Sequence, residues 1–312
     1  MLPQLTNDED FKREFSDEKK CLEYLEKLKY KDEKRICPKC KKGKLWKLKK
    51  REHIYECAKC HHQESVLSGT LFQDTHKPLE LWFKAIWDIA TYIIDCNYKD
   101  NKINNEKTGH QLQETLNIKT YKTAWTWIHK LRRIMVHPDN DRLSGKIEII
   151  KTYVEVPKKG NKGNDNKAMI AIAMEMLDEN IERIRIGILP DIPQVSFSNF
   201  IQETVKEKSK IEIYNNSGEK DCEIKTNEYE VSYVYQKQDI VERHRDIISK
   251  IKNWINEIKP GSVLKHLPYY LDEYTFRYNH RGDLIKDKLF RHLIQNAFQS
   301  EPVTYQNIIA KH

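Results

Sequence analysis

The stretch Ser144–Gly160, SGKIEIIKTYVEVPKKG, is where the period of the chain changes. Before it, apolar residues recur at helical spacing; from about Ser144 they alternate, and KIEIIKTYVEV (146–156) reads as a buried strand. Two further β-rich runs follow, KAMIAIAMEML (167–177) and the alternating IERIRIGIL (181–189). A Gly/Asn/Lys-rich loop at 158–166 and a turn at Asp178–Asn180 separate the three. SFSNFIQETVKEK (196–208) then reads as a helix, KIEIYNN (210–216) and YEVSYVY (229–235) as strands, and the chain closes on helices. Three strands, a helix, a strand, a helix or loop and another strand make a mixed α/β layer. No internal repeat is evident.

Upstream of that layer the chain is helical. DEKKCLEYLEKLKY (17–30) spaces Cys21, Leu22, Leu25 and Leu28 for one face. KPLELWFKAIWDIATYIIDC (77–96) is a strongly apolar helix with Pro78 at its start, and Trp82, Ile86, Ile89 and Ile93 form its core stripe. GHQLQETLNIKTYKTAWTWIHKLRRIM (109–135) has the cadence of a helix, a short turn and a second helix. Ala124, Ile128, Leu131 and Met135 of that second helix face inward, leaving Lys122, Trp125, His129, Arg132 and Arg133 partly outward.

Between these helices lies the strongest local signal. CPKC (37–40) and CAKC (57–60) enclose sixteen residues containing two strand-like pieces, KLWKLKK and HIYEC. Two such turns bring Cys37, Cys40, Cys57 and Cys60 onto one tetrahedral Zn²⁺, with the hairpin closing the loop. Redox CxxC motifs normally come singly. His61 and His62 are surface residues, since four sulfurs complete a closed structural site. The hairpin is too small to have a core, so zinc is part of its folding free energy. Cys21, Cys96 and Cys222 stand alone, as thiols do in a reducing compartment.

Composition sets the outer limits. The 312 residues suffice for two or three domains, and 38% hydrophobic with 33% charged residues is a globular mixture. Lys+Arg exceed Asp+Glu by 55 to 47, a net charge of +8, and nine Lys/Arg against two Glu fall between Cys37 and Cys60. A phosphate-bearing partner fits that concentration of charge. No apolar run approaches the roughly 20 residues of a membrane span and the N-terminus is unlike a signal peptide, so an intracellular protein without a membrane partner is expected.

The order of the pieces carries a resemblance. A helical lead, a zinc ribbon ending in ESVLSGTLFQDTHKPLELWFKAIW (64–87), LNIKTYKTAWTWIHKLRRIM (116–135), and an α/β unit opening LSGKIEIIKTYVE (143–155) resemble the bacterial insertion-sequence transposases of the ISXO type, relatives of the eukaryotic Merlin elements. SKIKNWI (249–255), HLPYYLDEYTFRYNHR (266–281) and EPVTYQNII (301–309) are similar to the closing segment of that family. The resemblance implies an α+β multidomain chain: a helical lead-in (1–35), a zinc ribbon (36–66), a helical helix-turn-helix region (67–143), a ribonuclease-H-like mixed α/β domain (144–260) and C-terminal helices (261–312).

It also implies a triad of carboxylates holding two divalent metals that activate water or a DNA 3′-hydroxyl. Each triad position departs from the pattern. The first aspartate belongs to a strand motif V-E-V-D-E-T-Y, which here reads Ile147-Glu148-Ile149-Ile150-Lys151-Thr152-Tyr153 and puts Ile150 at the metal. The second falls on Tyr214, or on Asn215 if the register slips by one. The third falls near Arg245, beside His244, with Glu242 and Asp246 a turn away. An isoleucine cannot bind a metal and a lysine beside it repels one. In an alternative register Glu148 or Glu155 is the ligand, and Glu148 shares a strand face with Ile150 whereas Glu155 does not.

Three functions follow. The first is a transposase-derived DNA-binding protein without strand transfer, held in the nucleoid or nucleus by its DNA, the former nuclease domain serving as scaffold or as a surface for a second copy of the chain. Lys119, Thr120, Lys122, Thr123 and Thr126 are then near base edges, with Arg132 and Arg133 at phosphates. The second is an active transposase using Mg²⁺ through displaced ligands. The third is a zinc-dependent protein-interaction subunit.

Overall fold

The computed structural model describes residues 4–30, 35–49, 51, 53–100, 109–137, 141–156, 167–189, 193–214, 228–234, 238–257 and 266–309. The chain divides into two compact units: Met1–Ile94 with Lys107–Ile134 and Leu284–Ile308, and Asp95–Glu106 with Met135–Asp283 and Ile309–His312. The change of unit at Ile134/Met135 lies close to the change of period at Ser144. The C-terminal segment is shared, its last helices belonging to the first unit.

The first unit opens with α1 (Asp8–Glu14) and α2 (Glu18–Lys29), capped by Asn7 and Asp17, whose side chains accept from backbone N–H groups of the first turn. A three-stranded antiparallel sheet follows: β1 (Leu45–Lys47), β2 (Ile54–Cys57) and β3 (Gln63–Ser65). The first two are the expected hairpin; β3, which the residue pattern does not announce, adds an edge. Then come α3 (Leu79–Asp100), α4 (Gly109–Leu116) and α5 (Tyr121–Arg133). Trp82, Ile86, Ile89 and Ile93 of α3 are all buried, as the stripe requires, and Trp82 stacks on Trp127 of α5 with centroids 3.7 Å apart.

In the second unit, β4 (Lys146–Glu155), β5 (Lys167–Leu177), β6 (Asn180–Leu189), α6 (Pro193–Thr204), β7 (Lys210–Tyr214), β8 (Glu230–Val234), α7 (Gln238–Glu257) and α8 (Leu267–Asn279) succeed one another. The strand order is β6-β5-β4-β7-β8. β4 and β5, and β5 and β6, run antiparallel; β7 is parallel to β4 and β8 to β7. One face, through Ile147, Ile149 and Ile213, packs on Phe197, Phe200 and Ile201 of α6. The other, through Ile150, Ile170 and Ile172, packs on Ile247, Ile251 and Trp254 of α7 and Leu271 of α8.

Cover on both sides makes β4 the buried strand that its residues predict. Ile147, Glu148, Ile149 and Ile150 are all buried, so the alternation in β4 sorts residues between two cores and not between core and water.

The first unit closes with α9 (Lys286–Gln299) and α10 (Tyr305–Ile309). Phe290 of α9 meets Phe11, Phe15, Phe83 and Trp87 in an aromatic cluster, tying the end of the chain to its beginning. Among the described residues no helix is long and apolar enough to cross a membrane.

Candidate functional sites

Two clusters of titratable side chains stand out, one in each unit. In the first, the four Sγ atoms of Cys37, Cys40, Cys57 and Cys60 lie within 4.8 Å of one another. Cys37 and Cys60 are 3.7 Å apart and Cys40 and Cys57 3.6 Å. A tetrahedral Zn²⁺ with Zn–S near 2.3 Å separates its sulfurs by roughly 3.8 Å, so the donor set fits that ion. Backbone N–H groups turn inward to the sulfurs, from Gly43 to Cys40 at 3.3 Å and from Lys59 and Cys60 to Cys57 at 3.4 Å. The N–H groups of Lys42 and Gly43 pull the Cys40 thiol down to about 6, favouring the thiolate a metal needs. A Cβ on Gly43 would collide with Cys57 Sγ, so only glycine lets the two knuckles close. Cys21 is buried elsewhere in this unit and its thiol is pushed up by burial. Cys222 and the Cys96 side chain lie outside the described residues.

α2 is fastened to this ribbon. Glu26 accepts from Lys47 Nζ at 2.9 Å, from His53 Nδ1 at 3.2 Å and from the Tyr55 hydroxyl. Lys29 pairs with Glu64 at 2.7 Å and donates to the Ser65 carbonyl at 2.8 Å. Lys47, Tyr55 and Glu64 occupy one register row of β1, β2 and β3, so this face of the sheet belongs to α2.

The second cluster surrounds Glu148 on β4. Its side chain is 1% exposed, although it is a carboxylate. Arg243 Nη2 donates to both its oxygens, at 2.9 and 3.1 Å, and His244 Nε2 lies 2.9 Å from Oε2. An ionised carboxylate only accepts, so Nε2 carries the proton of that bond. Lys146 Nζ is 4.0 Å from Glu148 and 3.5 Å from Glu212, lying between the two carboxylates. Burial raises the Glu148 carboxyl, but the His244 hydrogen bond and the Arg243 charge more than offset it and hold it below the usual range. Tyr214 donates to Glu212 at 2.9 Å and packs edge-on against His244. Burial and the Glu148 charge push its phenol up, so it stays neutral.

The expected triad positions can be read against this geometry. Ile150 and Tyr214 are Cα partners in the β4/β7 register, as Glu148 and Glu212 are two residues before them. Ile150 is buried in the α7-side core. Arg245 is exposed, and it is its neighbours Arg243 and His244 that reach the strand. Glu242 and Asp246 are exposed, and Asp246 pairs with Lys250 at 2.6 Å. Glu155 is exposed beside Lys167. Asn215 lies outside the described residues. Among the described residues the cysteine quartet is the one His/Cys/Asp/Glu group whose ligand atoms converge on a metal-sized space.

Glu212, Lys146 and Arg243 were missed in the sequence. A signal existed: KIEI occurs at 146–149 and again at 210–213, and the two copies pair residue for residue.

The helical pair α4–α5 distributes its expected contact residues unevenly. Lys119, Thr120, Lys122 and Arg133 are exposed, and Thr123 and Thr126 half-buried. The Thr120 side chain caps α5 by accepting from Thr123 N at 3.3 Å, while Thr126 donates to the Lys122 carbonyl at 2.8 Å. Lys122 Nζ sits over the Tyr305 ring at 4.1 Å. Arg132 requires correction: it is 2% exposed, as is its buried neighbour His129 at 1%, because the inward face of α5 is wider than the Ala124–Met135 stripe suggests. Of the two arginines, only Arg133 is exposed at the surface.

Comparison with protein families finds two domains, one spanning each cluster. Residues 16–63 match the transposase zinc-ribbon domain, a span that includes α2 as well as the thiols. Residues 142–279 match the ISXO2-like transposase domain, from the start of β4 to the end of α8. The chain thus contains a transposase zinc ribbon and an ISXO2-like transposase domain. No curated protein and no solved structure matches it.

Proposed function

We propose that this chain is a transposase-derived DNA-binding protein whose strand-transfer site has been closed by cations of its own. The observation that carries the proposal is the state of Glu148: a buried carboxylate already paired with Arg243 and hydrogen-bonded to His244, two residues along the strand from the aliphatic Ile150. A divalent metal binds through hard oxygen ligands whose negative charge is uncompensated. Here the charge is compensated, and Lys146 lies where a cation would bridge Glu148 and Glu212. The mixed sheet with helices on both faces supports the ribonuclease-H-like reading, and the α4–α5 pair supports the helix-turn-helix one.

In this reading zinc holds the ribbon, α5 enters a groove with Lys119, Thr120, Lys122, Thr123 and Thr126 near the bases, and Arg133 and the ribbon lysines meet phosphates. Duplex binding measured from low to moderate salt tests it. A linear fall of log affinity with log salt is expected, and Arg133→Ala reduces the slope by about 1. Absence of any salt-sensitive DNA affinity would favour the protein-interaction reading.

One observation favours the alternative of an active enzyme with displaced ligands. Glu148 and Glu212 are aligned partners on one sheet face, two carboxylates that Mg²⁺ could share if Lys146 and Arg243 withdrew. Mg²⁺-dependent nicking of terminal-repeat DNA, lost in Glu148→Gln, would establish it.

A further inference from the structure

The ribbon sheet has two unlike faces. The Lys47, Tyr55 and Glu64 row is covered by α2, while the adjoining row of Trp46, Glu56 and Gln63 points away from it. On this second face Trp46 is 59% exposed, an unusual position for the largest apolar side chain. Lys44 Nζ lies 5.6 Å from its ring centroid. Lys42, Lys44 and Lys59 are exposed along the adjoining edge, where an added Cβ on Gly43 would stand 2.9 Å from Lys59 Cβ, so the two lysine-bearing knuckles touch. Glu56 is the one carboxylate in the row and is held by Gln63 at 2.8 Å.

We infer that Trp46 is a stacking platform for an unpaired DNA base, with Lys42, Lys44 and Lys59 tracking the phosphates of the same strand. This deepens the DNA-binding reading and rests on it. The occupant follows from the chemistry of the patch. The Lys44 ammonium over the ring, with exposed Lys42 and Lys59 on the neighbouring knuckles, matches a polyanion and not an apolar protein surface. A paired duplex hides the faces of its bases and offers only edges in the grooves, so an exposed indole face finds its complement on a single strand. Glu56 repels phosphate, which leaves the lysine edge as the path of the backbone.

The test uses the full zinc-loaded chain and two fluorescein-labelled probes, a mixed-sequence single strand and the same sequence as a duplex, read by anisotropy. Trp46→Ala is expected to weaken single-strand binding by about fivefold or more, the factor that stacking of one base supplies, with duplex affinity unchanged. Trp46→Phe retains most of the affinity. Lys44→Ala lowers the single-strand salt slope by about 0.7, whereas Trp46→Ala leaves the slope as it was. Equal single-strand affinity of wild type and Trp46→Ala, in a chain that still binds the duplex, overturns this inference alone. Failure of the wild-type chain to bind either probe overturns the DNA-binding reading and this inference with it. Zinc content measured on each variant keeps a misfolded ribbon from being read as lost stacking.

Discussion

The cysteine quartet and the Glu148 cluster are both gatherings of titratable groups inside a fold, yet their charge balance is opposite. Four sulfurs within 4.8 Å of one another, with N–H groups aimed at them, make a site that needs a cation it does not contain among its own side chains. At Glu148 the chain itself supplies the partners, the Arg243 and Lys146 cations and the His244 N–H. The lesson concerns how a metal site is read: ligand-type residues signal a metal only when their charge is left over. The same family domain pair thus carries one site with charge to spare and one that has none.

Removing zinc gives the largest expected effect. Structural zinc is worth about 10–16 kcal/mol in small zinc-folded domains, far more than the ribbon can supply otherwise. Chelation, or Cys57→Ser, should abolish the β1–β3 amide cross-peaks in NMR spectra while β4–β8 persist. Loss of the β4–β8 signals with those of the ribbon would break the contrast between the sites.

Glu148→Ala should come next. It leaves the buried His244 N–H without its acceptor and Arg243 with only the exposed Glu179 as counter-charge, at a cost of about 3 kcal/mol in urea unfolding. Adding Mg²⁺ to the wild type should leave the unfolding midpoint unchanged. A metal-dependent rise in that midpoint would mean the carboxylate has charge to share.

Gly43→Ala should cost about 1–3 kcal/mol by overpacking and lower zinc affinity, because its Cβ meets Cys57 Sγ. Competition with a chromophoric chelator reads it.

The smallest effect is a pH profile. The Glu148 carboxyl in the folded chain sits below its ordinary 4.5, so the unfolded chain binds the proton more readily. The resulting stability is complete above about pH 4.5 and is lost as pH falls through the lowered value. Glu148→Gln should flatten this acid limb, and an unchanged limb would remove the ion pair from the account.

How much of this could be read in the residues differs between the two sites for a physical reason. Zinc knuckles are local: CPKC and CAKC fix the turn, the spacing and the ligand type within a few residues, and the structure adds Gly43 and the hold of α2. The Glu148 cluster is assembled from β4, β7 and α7, with contacts across up to 96 residues, and pairing across such a span leaves no local pattern. Only the repeated KIEI hinted at it. The choice between Arg243, His244 and Arg245 depends on the rotation of α7, which a helical period alone cannot fix within one residue. Arg132 was misjudged because the stripe marks the centre of a buried face and not its width. The mixed sheet itself was legible, since strand length and turn chemistry are local, whereas burial of β4 on both sides depends on α6 and α7 arriving from elsewhere in the chain.

The most direct measurement is cleavage of terminal-repeat duplex by the zinc-loaded chain across a series of Mg²⁺ and Mn²⁺ concentrations. The account predicts binding of the duplex with no nicking above the metal-only background. Metal-dependent nicking that disappears in Glu148→Gln would contradict it, because a carboxylate sealed by Arg243 and His244 would then have been holding the catalytic ion.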